Sequence, residues 1–296
     1  MKFFSFTRTG LPLLVAHRIL MGCLTGCLML CLMNCKGKTD LPEEETEAVR
    51  TDSATMDSTA TDSIAEMEME VPPKKADELF DDFVFAFMKN QYFQKQRIDF
   101  PLSYTVDDEK TRIRRKDWTF DRMYSMEEVY TLIFDSAKGE EKAKDTTLRS
   151  VTVEEINIET FRTKAYNFKK REGEWRLVGI SELNLDDSEN SDFYSFYHQF
   201  ATDPDFQLHH IASPLTFSTY DTDSFEVVDG VISPEQFKDF APELPKTKIT
   251  NILYGQTFKN SRLRILSIRA LSGGMESNMQ FEKNDEGEWM LTRLDN

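Results

Sequence analysis

Cysteine is absent after residue 35 of this 296-residue chain. The remainder therefore has no disulfide, no thiolate ligand for a metal and no cysteine nucleophile. Histidine is also scarce, since only His198, His209 and His210 follow that point. The adjacent His209 and His210 would point in different directions on a strand or a helix. We therefore expect ordinary surface or half-buried histidines, with no metal site and no cofactor.

Glycine and basic residues are few as well. Gly273 and Gly274 are the only adjacent glycines, and no phosphate-binding glycine loop, GxSxG or HExxH pattern occurs. The chain has 36 basic and 52 acidic residues, with a formal net charge of −16. This charge disfavours binding of the folded part to nucleic acid or to anionic lipid headgroups, because both require clustered cations. No pattern indicates a reaction, so no catalytic residue is predicted.

No apolar run reaches the roughly 20 residues needed to span a membrane. Residues 19–33 are uncharged and apolar, and they follow a basic start, which is typical of a secretory signal peptide. The following Cys35 resembles a lipidated cysteine, although Asn34 stands where a small residue is usual. We predict a lipoprotein signal peptide over residues 1–35. Cys27 is the alternative lipidation site, and an uncleaved anchor helix is a further alternative.

Residues 36–75 contain no aromatic residue and are rich in Thr, Ser, Asp and Glu. Such a segment cannot offset the entropy cost of ordering its backbone. We expect a disordered acidic stalk that holds the folded part away from the membrane. The predicted location is the cell envelope. There the lipid would anchor the chain to the inner or the outer membrane, with the folded part outside the cytoplasm.

The rest of the chain repeats itself. Residues 80–102 placed over residues 193–215 without a gap share eight identities. These are Phe80 with Phe193, Phe83 with Phe196, Phe87 with Phe200, Phe93 with Phe206, Gln94 with Gln207, Ile98 with Ile211, Pro101 with Pro214 and Leu102 with Leu215. A Gly-Glu-Trp sequence near the end of each copy adds to the match. We predict two tandem units, over residues 76–187 and 188–296.

Each unit has the pattern of an α+β domain. Its phenylalanines recur at three- and four-residue steps, which predicts an amphipathic helix. Strand-like runs follow, and the last of them form a hairpin before each Trp. Between them, Ser125 and Ser233 each begin the four-residue spacing of a capping box, which predicts a short helix in each unit.

This order, with the Phe-x-Lys and Gly-Glu-Trp hairpin, resembles the nuclear transport factor 2-like (cystatin-like roll) fold. In that fold a curved antiparallel sheet packs on a long N-terminal helix. The lipid signal, acidic stalk and two such units together are similar to an uncharacterised Bacteroidetes lipoprotein family, domain of unknown function 4348. The resemblance implies no established activity.

Some relatives by fold carry out acid–base chemistry in a cone-shaped cavity, and the resemblance makes Asp99 the candidate for that role. Its counterpart in the second unit is Ala212, so the two units cannot share it, and Arg97 more simply pairs with a surface carboxylate. A dense basic run could bind an anion, but we interpret it as a solvated strand edge. It comprises Arg112, Arg114, Arg115 and Lys116.

We therefore predict a membrane-anchored, non-enzymatic binding or interaction module whose protein, glycan or small-molecule ligand the sequence does not identify. The alternative is an envelope hydrolase, lyase or isomerase that uses a cavity in one unit. That alternative requires an apolar cavity with a buried carboxylate or histidine of perturbed pKa. A third possibility is that the two units pack face to face through their sheets and expose a groove.

Overall fold

Residues 77–221 and 223–296 are described in this computed structural model, and they form five α-helices and twelve strands. The elements before residue 188 are α1 (Phe80–Lys89), α2 (Gln91–Gln96), β1 (Ile98–Val106), β2 (Glu109–Ile113), β3 (Val129–Phe134), β4 (Ser150–Asn157), β5 (Arg162–Arg171) and β6 (Glu174–Asn184). The later elements are α3 (Ser191–Thr202), α4 (Pro204–His209), β7 (Ile211–Asp221), β8 (Glu226–Ile232), α5 (Phe237–Phe240), β9 (Lys248–Leu253), β10 (Leu263–Ala270), β11 (Glu276–Lys283) and β12 (Trp289–Asp295). We call the described residues before 188 the first half and those after 187 the second half.

The strands form two six-stranded sheets, in the orders β2-β1-β6-β5-β4-β9 and β3-β10-β11-β12-β7-β8. Both sheets are mixed, because β1 runs parallel to β6 and β7 runs parallel to β12. The expectation of antiparallel sheets is therefore wrong for one strand pair in each. The two strands of each parallel pair are far apart in the chain, so a long connection rather than a hairpin joins them.

The two halves exchange one strand each. β3 leaves the first half and pairs with β10 in the second sheet, while β9 leaves the second half and pairs with β4 in the first sheet. The exchanged strands are edge strands of their new sheets, and the two sheets meet where β3 and β9 contact each other. Side chains of β4 consequently reach both cores, with Val153 in the first and Ile156 in the second.

The helices before each sheet are shorter than the single long helix expected. α1 has 10 residues and stops at Asn90, whose extended backbone interrupts the helix and whose side chain accepts a hydrogen bond from the Phe93 N–H at 2.9 Å. In the second half α3 has 12 residues, and Asp203 caps α4 in the same way. A polar cap residue therefore divides each helical segment in two.

The phenylalanine stripes of the two helical segments form the centres of the two cores. Phe80, Phe83 and Phe87 surround Phe168 of β5 with ring centroids 5.3–5.7 Å apart. In the second half Phe193, Phe196 and Phe200 surround Phe281 of β11 at 5.2–5.6 Å. Each buried Phe contributes on the order of 2 kcal/mol through the apolar surface it removes from water. The prediction that these stripes face the core is confirmed.

The two predicted capping boxes have different outcomes. Ser233 and Gln236 form one, and a short helical stretch begins there. Ser125 does not, because its hydroxyl donates to the Arg122 carbonyl at 2.7 Å and the chain becomes extended at Glu127. The helix predicted at Ser125 is therefore only a 3₁₀ turn over Met123–Met126.

Candidate functional site

A cavity of about 930 Å³ lies where β3 and β9 meet, and residues from both halves line it. Much of its wall is apolar, with Val129, Leu244, Ile249, Leu271 and Met275. Its charged residues are Glu127, Glu128, Glu155, Glu243, Lys246 and Lys248. A concave, largely apolar space with a few polar groups is typical of a small-molecule site.

Tyr124 lines this cavity and carries a hydroxyl without a partner among the described residues. Its side chain is only 2% exposed and its ring stacks on Tyr130 with centroids 5.7 Å apart. Burial raises the pKa of Tyr124 well above its ordinary value, and the nearby Asp81 carboxylate raises it further. The hydroxyl is thus a neutral hydrogen-bond donor that no described group uses.

A polar cluster adjoins the cavity through Glu155. The Tyr166 hydroxyl lies 2.9 Å from Asp121 Oδ2 and 3.0 Å from Glu155 Oε2, and Lys164 Nζ donates to Asp121 Oδ2 at 2.7 Å. The hydroxyl has one proton and can donate to only one carboxylate. A protonated Glu155 that donates to Tyr166, while Tyr166 donates to Asp121, satisfies both contacts.

The two carboxyl groups of this cluster have pKa values that move in opposite directions. Burial raises the pKa of Glu155, and the neighbouring Asp121 charge adds to the rise. Burial would also raise the pKa of Asp121, but hydrogen bonds from Lys164, the Met123 N–H and Tyr166 outweigh it and lower that pKa. Their surroundings therefore hold the pKa values of the two carboxyl groups apart.

The cluster continues along the same face of the first sheet. The Tyr104 hydroxyl donates to Glu182 Oε1, and burial followed by that contact raises the pKa of Tyr104 to about 12. A smaller cavity of about 260 Å³ lies at this end, lined in part by Lys164 and Glu182. Glu155 and Lys248 line both cavities, so they stand at the boundary between them.

The second half has apolar or small side chains at four of the positions that match this cluster. The match follows from the strand pairing, which has the same register in both halves. Val153 pairs with Tyr166 in the first half, and the corresponding pair in the second half is Leu266 with Met279. The replacements are Phe217 for Tyr104, Ile268 for Glu155, Ser277 for Lys164 and Met279 for Tyr166. The scaffold therefore does not require polar residues here, and their presence in the first half points to a role beyond folding.

The sequence candidate Asp99 lies elsewhere. Its carboxylate pairs with Arg176 Nε at 2.5 Å and Arg171 Nη1 at 2.6 Å, on the sheet face turned away from α1. The neighbouring Arg97 forms a bidentate pair with Asp77, with both N–O distances 2.8 Å. Asp99 is thus engaged in ion pairs outside the cavity between β3 and β9, and this placement does not support an acid–base role.

The three histidines serve local contacts. His209 Nδ1 lies 2.6 Å from the Asp205 carbonyl, His210 stacks on Phe206 at 3.8 Å, and His198 packs edge-on against Phe161. Within residues 77–221 and 223–296, no group of three or more His, Cys, Asp or Glu side chains is placed to hold a metal ion. Gly273 and Gly274 form a turn with positive φ beside the cavity residue Met275.

Two further expectations concern the chain before residue 77. The lipidation candidates Cys35 and Cys27 lie outside the described residues, as does the predicted stalk. Within the described part of the chain, no helix combines the length and the apolar character needed to cross a membrane.

Sequence reasoning missed the residues that form this site. Tyr124, Asp121, Glu155 and Tyr166 come from a loop and two strands and belong to no motif. A signal was nonetheless present, because extending the comparison of the two copies into β4 and β5 sets Glu155 against Ile268 and Tyr166 against Met279.

Comparison with known proteins identifies relatives of the described region. The family described as Domain of unknown function (DUF4348) matches residues 59–296. The crystal structure of an NTF2-like (nuclear transport factor 2-like) protein from Bacteroides fragilis has a TM-score of 0.69 and 36% sequence identity. That match covers 75% of this chain and 97% of the other. No curated protein matches the sequence.

Proposed function

The chain belongs to the DUF4348 family, and we propose that it is a lipid-anchored binding protein of the bacterial cell envelope. Its ligand would occupy the cavity of about 930 Å³ between β3 and β9. That cavity carries the proposal, because its walls are largely apolar and several charged side chains also line it. A packed interior rarely keeps a void of this size without a further purpose.

The lining indicates the kind of ligand. Apolar residues from β3, β9 and the turn after β10 suit an aliphatic or aromatic body. The glutamate and lysine side chains of the wall would form hydrogen bonds with the polar groups of the ligand. Four glutamates against two lysines in the wall disfavour a polyanion. We therefore expect a largely apolar small molecule with a few neutral or cationic polar groups.

The remainder of the proposal concerns the organisation of the chain. Residues 76–187 and 188–296 would be tandem units of the nuclear transport factor 2-like fold. The matching order of elements and the matching strand registers in the two halves support this. A signal peptide over residues 1–35, a lipid on Cys35 and a stalk over residues 36–75 would place these units outside the cytoplasm.

Native mass spectrometry of the full chain, purified from its bacterial host in mild detergent, tests the binding function. We expect a bound small molecule that is lost in Ala270→Trp, because Ala270 lines the cavity. Ala212→Trp is the matched control, since Ala212 is similarly half-buried on β7 but does not line the cavity. If the two variants retain the ligand equally, or the native chain carries none, the cavity is not the binding site.

The pair of Glu155 and Asp121 favours a second candidate, an envelope enzyme. A protonated Glu155 beside the cavity could donate a proton to a bound substrate, and Tyr166 links it to the Asp121 anion. The recovered ligand can be incubated with native chain, Glu155→Gln and the exposed control Glu141→Gln. A change in ligand mass with the native and control chains alone would support this candidate, and an unchanged ligand in all three would exclude it.

A further inference from the structure

A separate cleft of about 550 Å³ lies on the face of the first sheet turned away from α1. On β6, Trp175 and Leu177 point into the core, so that Arg176 and Val178 alternate to this outer face. The cleft is lined by four arginines that come from three parts of the chain. They are Arg112, Arg115, Arg171 and Arg176.

The charges in this cleft are not balanced. Asp99 is its one carboxylate and already pairs with Arg171 and Arg176, while Glu174 at the margin lies 3.3 Å from Arg176. Among residues 77–221 and 223–296, neither Arg112 nor Arg115 has a carboxylate within ion-pair distance. Two guanidinium groups therefore remain uncompensated in a chain whose net charge is −16.

Arg115 is also held in position. Its guanidinium lies 5.4 Å from the centroid of the Phe100 ring, and its Nη2 donates to the Lys95 carbonyl at 2.9 Å. The Phe100 ring in turn packs edge-on against Trp118, with centroids 6.3 Å apart. A guanidinium fixed before binding loses less conformational entropy when it captures an anion.

The second half again serves as an internal comparison. Its matching positions, defined by the same strand registers, have no charge. They are Ala212 for Asp99, Val231 for Arg112, Asn284 for Arg171 and Met290 for Arg176. The fold is built in the second half without any of these arginines, so their convergence in the first half is not needed for the sheet.

We propose that this four-arginine cleft binds the phosphate group of a phosphomonoester. Phosphate has several acceptor oxygens and about two negative charges, which match guanidinium donors that approach from different strands. Phe100 and Val178 line the same cleft and would contact the organic part of the ligand. The phosphate could belong to a soluble ester or to a lipid headgroup at the membrane surface. This cleft shares no lining residue with the cavity between β3 and β9.

Calorimetric titration of the full chain in detergent with glycerol 3-phosphate tests the site, and vesicles of phosphatidylcholine with or without phosphatidic acid test the lipid source. We expect Arg112→Gln combined with Arg115→Gln to weaken phosphate binding by at least about tenfold, because two charged hydrogen bonds are lost. The control combines Arg114→Gln with Lys116→Gln. It removes the same charge from the same segment, but Arg114 pairs with Asp117 at 2.6 Å and neither residue lines the cleft.

Each outcome has a defined meaning. If the chain binds glycerol 3-phosphate and only the cleft variant weakens that binding, the ligand is a soluble ester. If the chain binds only the vesicles with phosphatidic acid, and only the cleft variant weakens that binding, the ligand is a lipid headgroup. Equal weakening in both double variants would show general charge attraction and overturn the proposal. Absence of binding to either probe, or tighter binding of succinate than of glycerol 3-phosphate, would overturn it as well.

Discussion

Thr131 of β3 and Thr250 of β9 hydrogen-bond to each other's backbone in a reciprocal arrangement. Each hydroxyl donates to the carbonyl of the other residue, at 2.6 and 2.8 Å, and accepts from the other N–H, at 2.8 Å in both directions. Both side chains are buried, and the Asn251 side chain accepts a further bond from the Ile133 N–H. The edge strands β3 and β9 thus provide hydrogen-bond partners for each other's backbone groups. Neither of these two edges is therefore open to unwanted strand pairing.

Replacing Thr131 with Val should destabilise the chain by about 1–3 kcal/mol, because it leaves the Thr250 N–H and carbonyl buried without partners. Thr250→Val should cost a similar amount, because it leaves the Thr131 N–H and carbonyl buried without partners. Urea denaturation followed by circular dichroism measures these changes. Thr219→Val is the control, because the Thr219 hydroxyl makes no side-chain hydrogen bond within the described part of the chain. A change in either variant no larger than that of Thr219→Val would contradict the reciprocal arrangement.

Stability should fall between about pH 4.5 and pH 7 because of Glu154. Burial raises the pKa of Glu154 to about 7, although a hydrogen bond from Asn251 at 3.2 Å partly opposes the rise. Below the unfolded-state pKa both states are protonated and the full stability is present. Above it the unfolded state ionises first, so stability is lost until the folded state also ionises near pH 7. The loss amounts to about 3 kcal/mol.

Glu154→Gln removes this ionisation, so the pH dependence over that window should flatten by about the same 3 kcal/mol. The measurement is the free energy of unfolding in urea at pH 4.5, 6 and 8. Glu141→Gln, at an exposed position, should leave the native pH dependence in place. A curve for Glu154→Gln that parallels the native curve would show that Glu154 is not the buried titrating group.

Two tyrosine variants should change stability differently. Tyr124→Phe removes a buried hydroxyl without a partner among the described residues, so it should be neutral or stabilise the ligand-free chain by up to about 1 kcal/mol. Tyr166→Phe removes the hydroxyl between Asp121 and Glu155 and should destabilise by about 1–3 kcal/mol. Thermal and urea unfolding of the ligand-free chain compare them. Equal destabilisation would mean that the Tyr124 hydroxyl has a partner after all.

Cys35→Ala should abolish incorporation of a clickable fatty acid into the chain in growing cells and release the protein from the membrane fraction. A thioether-linked lipid on that side chain is the proposed anchor, and stable anchoring requires more than one acyl chain. Cys27→Ala should leave labelling unchanged. Persistent labelling of Cys35→Ala together with loss in Cys27→Ala would move the lipidation site to Cys27.

Much of the secondary structure could be predicted from local pattern. The three-residue and four-residue phenylalanine steps identified α1 and α3, and the hairpins expected near each Trp correspond to β5 with β6 and β11 with β12. The short helix at Ser125 was wrong, because the cap depends on where a hydroxyl points and its alternative partner was the Arg122 carbonyl. The resemblance to domain of unknown function 4348 is confirmed by the match over residues 59–296, and the resemblance to the nuclear transport factor 2-like fold by a solved relative.

The candidate site could not be predicted in the same way. Glu155 and Tyr166 are adjacent only because β4 pairs with β5 in one register, and Asp121 joins them from a loop with no sequence signal of its own. The local pattern of the basic run around Arg112 predicts only a solvated strand edge. Arg171 and Arg176, which line the same cleft as Arg112, come close to this run only when the sheet folds.

The amino-acid sequence by itself determined which faces of the helices and strands are apolar, because side-chain periodicity is a local property. It also determined the acidity of the chain and the family to which it belongs. Only the tertiary structure decided that β3 and β9 change places between the sheets and that carboxyl and guanidinium groups converge. Strand partners and electrostatic interactions depend on distance in space, which residues far apart in the chain acquire only when the sheets form.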